Sequence, residues 1–212
     1  MIETHMDRAT RIGKRSIDIA AAVVGLTLTA PLLPLIALAI KVESPGPILF
    51  RQVRVGRMLE DRTELFQMIK FRSMRQDAES ASGAVWASKR DPRITRVGNF
   101  MRKTRLDEIP QFINVLRGEM SLIGPRPERP EFYSRLEAAI PHYSSRTFGL
   151  KPGITGLAQV SQGYDETIED VRSKVMFDHA YAVQTFRFSD WLRSDLRIVG
   201  QTLSVMALGR GR

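Results

Sequence analysis

The sequence predicts an α+β protein: a mostly helical domain with a small β-hairpin or sheet, an N-terminal re-entrant membrane helix-break-helix, and amphipathic surface helices. Three observations carry that expectation. Ile19 to Ile40 is a run of 22 residues without a charge, broken only by Pro31 and Pro34. Two β-rich runs, Ile48–Val55 and Glu64–Phe71, flank a loop over Gly56–Thr63. Beyond Val97, apolar residues recur mainly at helical spacing. The chain divides accordingly into a tail over 1–10, a re-entrant hairpin over 11–43 and one further domain over 44–212.

As one straight helix the uncharged run would measure roughly 33 Å, enough to cross a bilayer core. It is too long for a signal peptide and lacks a small-residue cleavage site. Apolar character all round a helix of this length favours lipid over a soluble core. Each proline removes a backbone hydrogen bond, and two within a turn call for a sharp bend. Arg8, Arg11, Lys14 and Arg15 stand before the run and Lys41 directly after it. The positive-inside tendency keeps both ends on the cytoplasmic face. A helix that enters one leaflet and returns is the expected geometry, with a single kinked span as the alternative. Ser44-Pro-Gly-Pro47 marks the exit.

The two β-rich runs read as a hairpin. Lys70 and Arg72 flank Phe71 at its end, either as a solvated edge or as the lining of a site. Residues 77–96 lack periodicity and read as a loop; Val97–Thr104 is helical again. Next comes Arg102-Lys-Thr-Arg-Leu-Asp-Glu-Ile-Pro110, where two carboxylates, Asp107 and Glu108, follow a cationic run. Ile109, Phe112, Ile113 and Leu116 then fall at i, i+3, i+4 and i+7. Pro110 fits only a first helical turn, which puts Asp107 at or near the N-cap and Glu108 at the first helical position. A helix N-terminus seats phosphate well, though acidic residues there also serve as plain caps. Met120–Pro127 closes on Gly-Pro-Arg-Pro, whose prolines restrict the backbone around Arg126 and suit its guanidinium to phosphate.

Pro130–Ala139 is an expected helix. Gly149–Gly156 leads into an expected strand over Leu157–Val160, its glycines serving turns or the close approach of a ligand. Thr167–Val183 is helical behind an N-cap threonine, and Ser189 is the expected cap of the last helix. Trp191, Leu196, Val199 and Leu203 of that helix stand beside Arg187, Arg193 and Arg197. That pattern suits a helix in the headgroup zone, and core packing accounts for it equally well.

Composition narrows the partners. The net charge is +9, and residues 51–130 hold 17 basic against 10 acidic groups. The middle of the chain therefore expects an anion: nucleotide, lipid headgroup or nucleic acid. The absence of cysteine excludes disulfides and thiolate metal sites. His5, His142 and His179 are too scattered in sequence to suggest a histidine metal cluster.

Together these segments resemble the bacterial sugar transferase family, the monotopic phosphoglycosyl transferases. The resemblance rests on the basic-flanked hairpin, Lys70-Phe-Arg-Ser-Met74, Arg102 to Gln111, Gly118 to Pro127, Lys151 to Val160 and Asp195-Leu-Arg-Ile198. It covers nearly the whole chain from Arg11, and the length resembles that family's minimal catalytic unit. It implies transfer of a sugar-1-phosphate from a UDP-sugar to a polyprenyl (undecaprenyl) phosphate, with release of UMP. Asp107 would be the nucleophile that carries a covalent phosphosugar, and Glu108 its partner at Mg²⁺. Arg102 and Arg126, with Lys70 and Arg72, would bind phosphate. The setting implied is the cytoplasmic face of a bacterial inner membrane, with lipid as partner and no nucleic acid. The sugar, the glycan pathway and a homodimer stay open. Two departures stand out. Ala30 precedes Pro31 where serine is frequent, leaving support of the break to a neighbour such as Thr29. Ala158 replaces a frequent tryptophan, which questions a local membrane contact or pocket. The competing reading is a non-catalytic basic module tethered to the membrane, with Asp107 and Glu108 as caps.

Overall fold

In the computed structural model, which describes residues 6–80, 83, 85–86, 91–162 and 167–208, helix α1 (Arg8–Thr29) begins inside the expected tail. Asp7 caps it, its side chain accepting from the Thr10 backbone at 2.6 Å. A 3₁₀ turn over Ala30–Leu32 follows, then α2 (Leu33–Glu43). The break thus falls at the prolines, but as a tightened turn: Thr29, Ala30, Leu32 and Leu33 all keep right-handed helical dihedrals. Thr29 supplies the support that Ala30 lacks. Its hydroxyl donates to the Gly25 carbonyl at 2.7 Å, back-bonding of the kind that bends helices.

Both arms close on one apolar cluster. Leu26 of α1 and Leu33, Ile36 and Ile40 of α2 pack with Phe71, Met101 and Ile109. The polar first half of α1 is tied down separately. Arg15 donates to the carbonyls of Val115 and Leu116 at 2.6 and 2.9 Å, satisfying the end of the helix that follows the Asp-Glu pair. Asp18 accepts from Ser121 Oγ and the Leu122 N–H at 3.0 and 2.9 Å. Lys14 reaches Asp195 at 3.1 Å and the Tyr181 hydroxyl at 2.9 Å.

The hairpin forms as expected from β1 (Leu49–Met58) and β2 (Thr63–Phe71), antiparallel and longer than the sequence suggested. After α3 (Arg96–Thr104) and α4 (Gln111–Arg117) comes β3 (Ser121–Ile123). It pairs in parallel with β4 (Gly153–Thr155) across the intervening α5 (Pro130–Ala139). The expected strand at Leu157–Val160 is instead a short helix, α6 (Leu157–Ser161), and the strand lies on the glycines before it. The reason is steric. A Cβ on Gly153 would lie 2.2 Å from the Gly124 nitrogen, and one on Gly124 would lie 2.3 Å from the Lys151 carbonyl. These glycines admit another strand rather than a ligand.

Helix α7 (Ile168–Gln184) starts on the expected Thr167, closed by a capping box with Asp170. Helix α8 (Phe188–Ala207) begins one residue before Ser189, whose hydroxyl turns to Asp190 and caps nothing. Core packing is realised on one face of α8, and the other face carries exposed apolar residues. Trp191 and Ile198 are fully buried, whereas Leu196, Val199 and Leu203 are exposed. Loop 77–96 lies partly outside the described residues; its end is set by Thr95, which caps α3.

Candidate active site

The Asp-Glu pair is positioned by a left-handed residue. Arg105 has φ 59° and ψ 16°, ending α3 and opening a 3₁₀ turn over Leu106–Glu108. For a side chain larger than glycine this conformation costs about 1 kcal/mol. Leu106 packs into the cluster beneath, and Asp107 and Glu108 project from the turn. Pro110 caps α4, so the pair precedes that helix and does not sit at its N-terminus as the spacing suggested. Of the backbone donors there, the Glu108, Ile109 and Phe112 N–H groups bond to Arg105, Leu106 and Ile109 carbonyls. Arginine side chains, not a helix dipole, make this site cationic.

Asp107 and Glu108 open on a cavity of about 500 Å³. Lys70, Arg72, Arg102 and Arg126 line it as well, so the fold brings together every site residue that the sequence nominated. Their roles differ. Arg105 and Arg126 each reach Glu108 at 3.3 Å, one to either carboxylate oxygen. Lys70 lies 5.8 Å over the Phe50 ring. Arg72 is spent elsewhere: its two terminal nitrogens donate to the Pro45 carbonyl and to Ser44 at 2.6–2.9 Å. It straps the exit of α2 to β2 while lining the cavity. The Asp107 carboxylate makes no hydrogen bond or ion pair among the described residues.

The electrostatics separate the two acids. Burial, and then the charge of Glu108, raises Asp107 from 3.8 to about 6, against the pull of Lys70, Arg102 and Arg126. Burial pushes Glu108 up too, but Arg105, Arg126 and Lys70 outweigh it and hold its pKa below the usual value. Lys70 is driven down to about 7 by burial and the nearby Arg54 and Arg126, despite the two carboxylates. One acid is thus a fixed anion inside an arginine clasp. The other is buried with a raised pKa and has no hydrogen-bond or ion-pair partner among the described residues.

A family model described as bacterial sugar transferase matches residues 9–209. The chain belongs to the bacterial sugar transferase family. This transferase-family chain is 46% identical over 198 residues to the UDP-N-acetylgalactosamine-undecaprenyl-phosphate N-acetylgalactosaminephosphotransferase of Aeromonas hydrophila, covering 93% of the chain and 44% of that protein. It is 44% identical over 197 residues to the UDP-glucose:undecaprenyl-phosphate glucose-1-phosphate transferase of Caulobacter vibrioides, covering 92% and 70% respectively. A putative undecaprenyl-phosphate N-acetylgalactosaminyl 1-phosphate transferase of Bacillus subtilis is 48% identical over 133 residues, 63% of the chain and 72% of that protein. The chain therefore spans less than half of the Aeromonas relative.

Among the described residues of this family member, no three His, Cys, Asp or Glu side chains stand together as a metal cage. Two adjacent carboxylates on a cavity lined by cationic side chains still fit Mg²⁺, which takes one or two protein carboxylates and completes its shell with phosphates and water. Asp107 could serve directly, and Glu108 by exchanging an arginine contact. The sequence reading missed several wall residues. Arg54 enters from β1, and Arg129 is bound to Glu79 at 2.7 Å. Trp86 and Phe132 meet edge to face at 5.4 Å and add aromatic surface to the wall. Arg105 alone had a local signal, its place in the cationic run. Ala158 is buried and takes no part in the outer surface.

Proposed function

We propose that this chain moves a sugar-1-phosphate from a UDP-sugar to undecaprenyl phosphate at a membrane surface, releasing UMP. The observation that carries the reading is Asp107: a buried carboxylate with no bonded partner among the described residues, at a cavity lined by Lys70, Arg102 and Arg126. In the first half-reaction an Asp107 oxygen attacks the phosphorus that bears the sugar. The bond to the bridging oxygen breaks, and UMP leaves with that oxygen. In the second, an oxygen of undecaprenyl phosphate attacks the same phosphorus and Asp107 departs as carboxylate, leaving a sugar diphosphate lipid. Arg102, Arg126 and Lys70 offset the repulsion between carboxylate and diphosphate. Glu108 orders Arg105 and Arg126 around the site. Asp107 and Glu108 would hold Mg²⁺, which would supply further charge neutralisation. Two steps let one cavity serve a soluble donor and a lipid acceptor in turn.

The membrane part of the reading rests on exposure. Leu28, Leu35, Leu38 and Val42 of the helix pair are more than half exposed, and only 11% of its most apolar window is buried in the protein. Lipid is the natural cover for such a surface. With both arms closing on the cluster around Ile109, we place the pair as a hairpin dipping into the cytoplasmic leaflet. The outer face of α8 lies in the headgroup zone beside it.

The test is donor-dependent UMP release in membranes or detergent with undecaprenyl phosphate, screened across UDP-sugars, UDP-N-acetylgalactosamine and UDP-glucose first. The native protein should gain the mass of a phosphosugar when the lipid is withheld. Asp107→Asn should fold, release no UMP and gain no mass. Undiminished turnover by that variant would sink the nucleophile assignment.

A further inference from the structure

The turn that carries Arg126 is held carbonyl by carbonyl. The Pro125 oxygen accepts from the Gly153 N–H at 2.9 Å, and the Glu128 oxygen from the Val55 N–H at 2.9 Å. Between them, the Arg126 oxygen accepts from Arg146 Nη2 at 2.9 Å and the Pro127 oxygen from Arg54 Nη1 at 3.1 Å. Pro125 and Pro127 fix two further dihedrals and bring no N–H of their own. Four consecutive carbonyls therefore have partners from three separate segments of the chain, β1 supplying two of them.

Arg146 is the informative member. It is 5% exposed, pairs with Asp178 at 2.7 Å and lies 4.6 Å from the centre of the Tyr143 ring. It stands behind the turn, outside the wall of the 500 Å³ cavity. A buried ion pair is poor evidence of stability, because apolar residues of equal volume often do as well. What the apolar substitute could not do is hold the Arg126 carbonyl. We propose that Arg146, oriented by Asp178 and assisted by Arg54, is a positioning residue that fixes the Arg126 backbone so that its guanidinium meets the diphosphate of the donor. The Arg126 side chain is half exposed and reaches Glu108 at 3.3 Å. With its backbone immobile, only side-chain torsions remain to be ordered on binding, and the entropy cost falls. The proposal rests on the assignment of Arg126 to phosphate made above.

A double-mutant cycle tests both layers. Every protein carries Asp107→Asn, so that no turnover occurs, and the readout is Kd for the UDP-sugar that the native chain turns over. Arg126→Ala should weaken binding about tenfold or more, as loss of a charge-assisted contact does. Arg146→Lys keeps the charge but lacks the fork needed to hold Asp178 and the carbonyl together, and should raise Kd about tenfold. On top of Arg126→Ala, the same change should raise Kd less than about twofold. The paired variant Arg146→Met with Asp178→Leu leaves no orphaned charge and should repeat both results with a normal melting curve. Losses that simply multiply would overturn the positioning role and leave Arg126 in place. Unchanged binding by Arg126→Ala would overturn the reading of the site, and this proposal with it.

Discussion

Asp107 and Glu108 are neighbours in sequence with opposite fates. Glu108 is clasped by two arginines and stays ionised; Asp107 is raised to about 6 by burial and by that same neighbour. Two consequences follow from one titration. A nucleophilic carboxylate must be ionised, so kcat/KM for UMP release should fall as pH drops through about 6. The folded pKa exceeds the ordinary 3.8, so the fold prefers the protonated acid. The penalty is absent below that ordinary value, grows as pH rises through the window and is complete above about 6. Asp107→Asn should therefore be more stable than the native chain at pH 8, by on the order of 2 kcal/mol, with the gain vanishing near pH 4. Urea titrations at the two pH values check it; equal gains at both would reject the electrostatic origin. At this scale the sequence was legible where chemistry is local, in the Asp-Glu pair and the Gly-Pro-Arg-Pro turn. It was illegible where a role depends on a distant partner. Nothing around Arg72 says that its guanidinium goes to Ser44 and Pro45, and nothing around Arg146 points to the Arg126 carbonyl.

Among the elements, those with strong period or strong caps were legible in advance. The β1–β2 hairpin, α5 and the Thr167-capped α7 fall where hydrophobic spacing and capping chemistry place them. The reading failed at short elements with competing signals. Gly-Leu-Ala-Gln-Val has the β-compatible residues of a strand, but Gly156 lies in extended conformation and releases the chain into α6. The strand moved to Gly153–Thr155 because only glycine lets β4 approach β3 so closely. That packing yields a paired prediction. Gly153→Ala forces a methyl onto backbone that cannot yield, and should cost about 3 kcal/mol, with β3 and the Arg126 turn behind it disturbed. Gly200→Ala, where nothing lies within 4 Å of the added methyl, should instead stabilise α8 by about 0.5–1 kcal/mol. Melting curves of the two variants should shift in opposite directions. A Gly153→Ala protein that melts like the native chain would show that the two strands can part.

At the scale of the whole molecule, membrane and chemistry are joined by α1. Its polar half holds the end of α4 through Arg15 and the edge of β3 through Asp18, while the outer face of its apolar half stays exposed with that of α2. The Asp-Glu turn lies just before α4 and the Arg126 turn just after β3, so on the membrane reading proposed above the depth of α1 in lipid would set the height of the cavity. A hairpin and a single kinked span make opposite demands on that linkage. If the pair crossed the bilayer, Arg8 and Lys41 would lie on opposite sides, and the ties from Lys14, Arg15 and Asp18 would have to break or be dragged through hydrocarbon. Those ties, and Glu43 accepting from the Arg96 and Val97 N–H groups at 2.7 and 2.8 Å, bind both ends of the pair to the same domain. Charge at either end reinforces this, since moving an arginine through the core costs several kcal/mol. The chain has no cysteine, so single thiols at position 8 and position 41 can be read cleanly. Arg8→Cys and Lys41→Cys should both react with an impermeant maleimide in inverted vesicles and neither in intact spheroplasts. Labelling of one thiol from each side would replace the hairpin with a span, and would require the domain to release one of its two anchors.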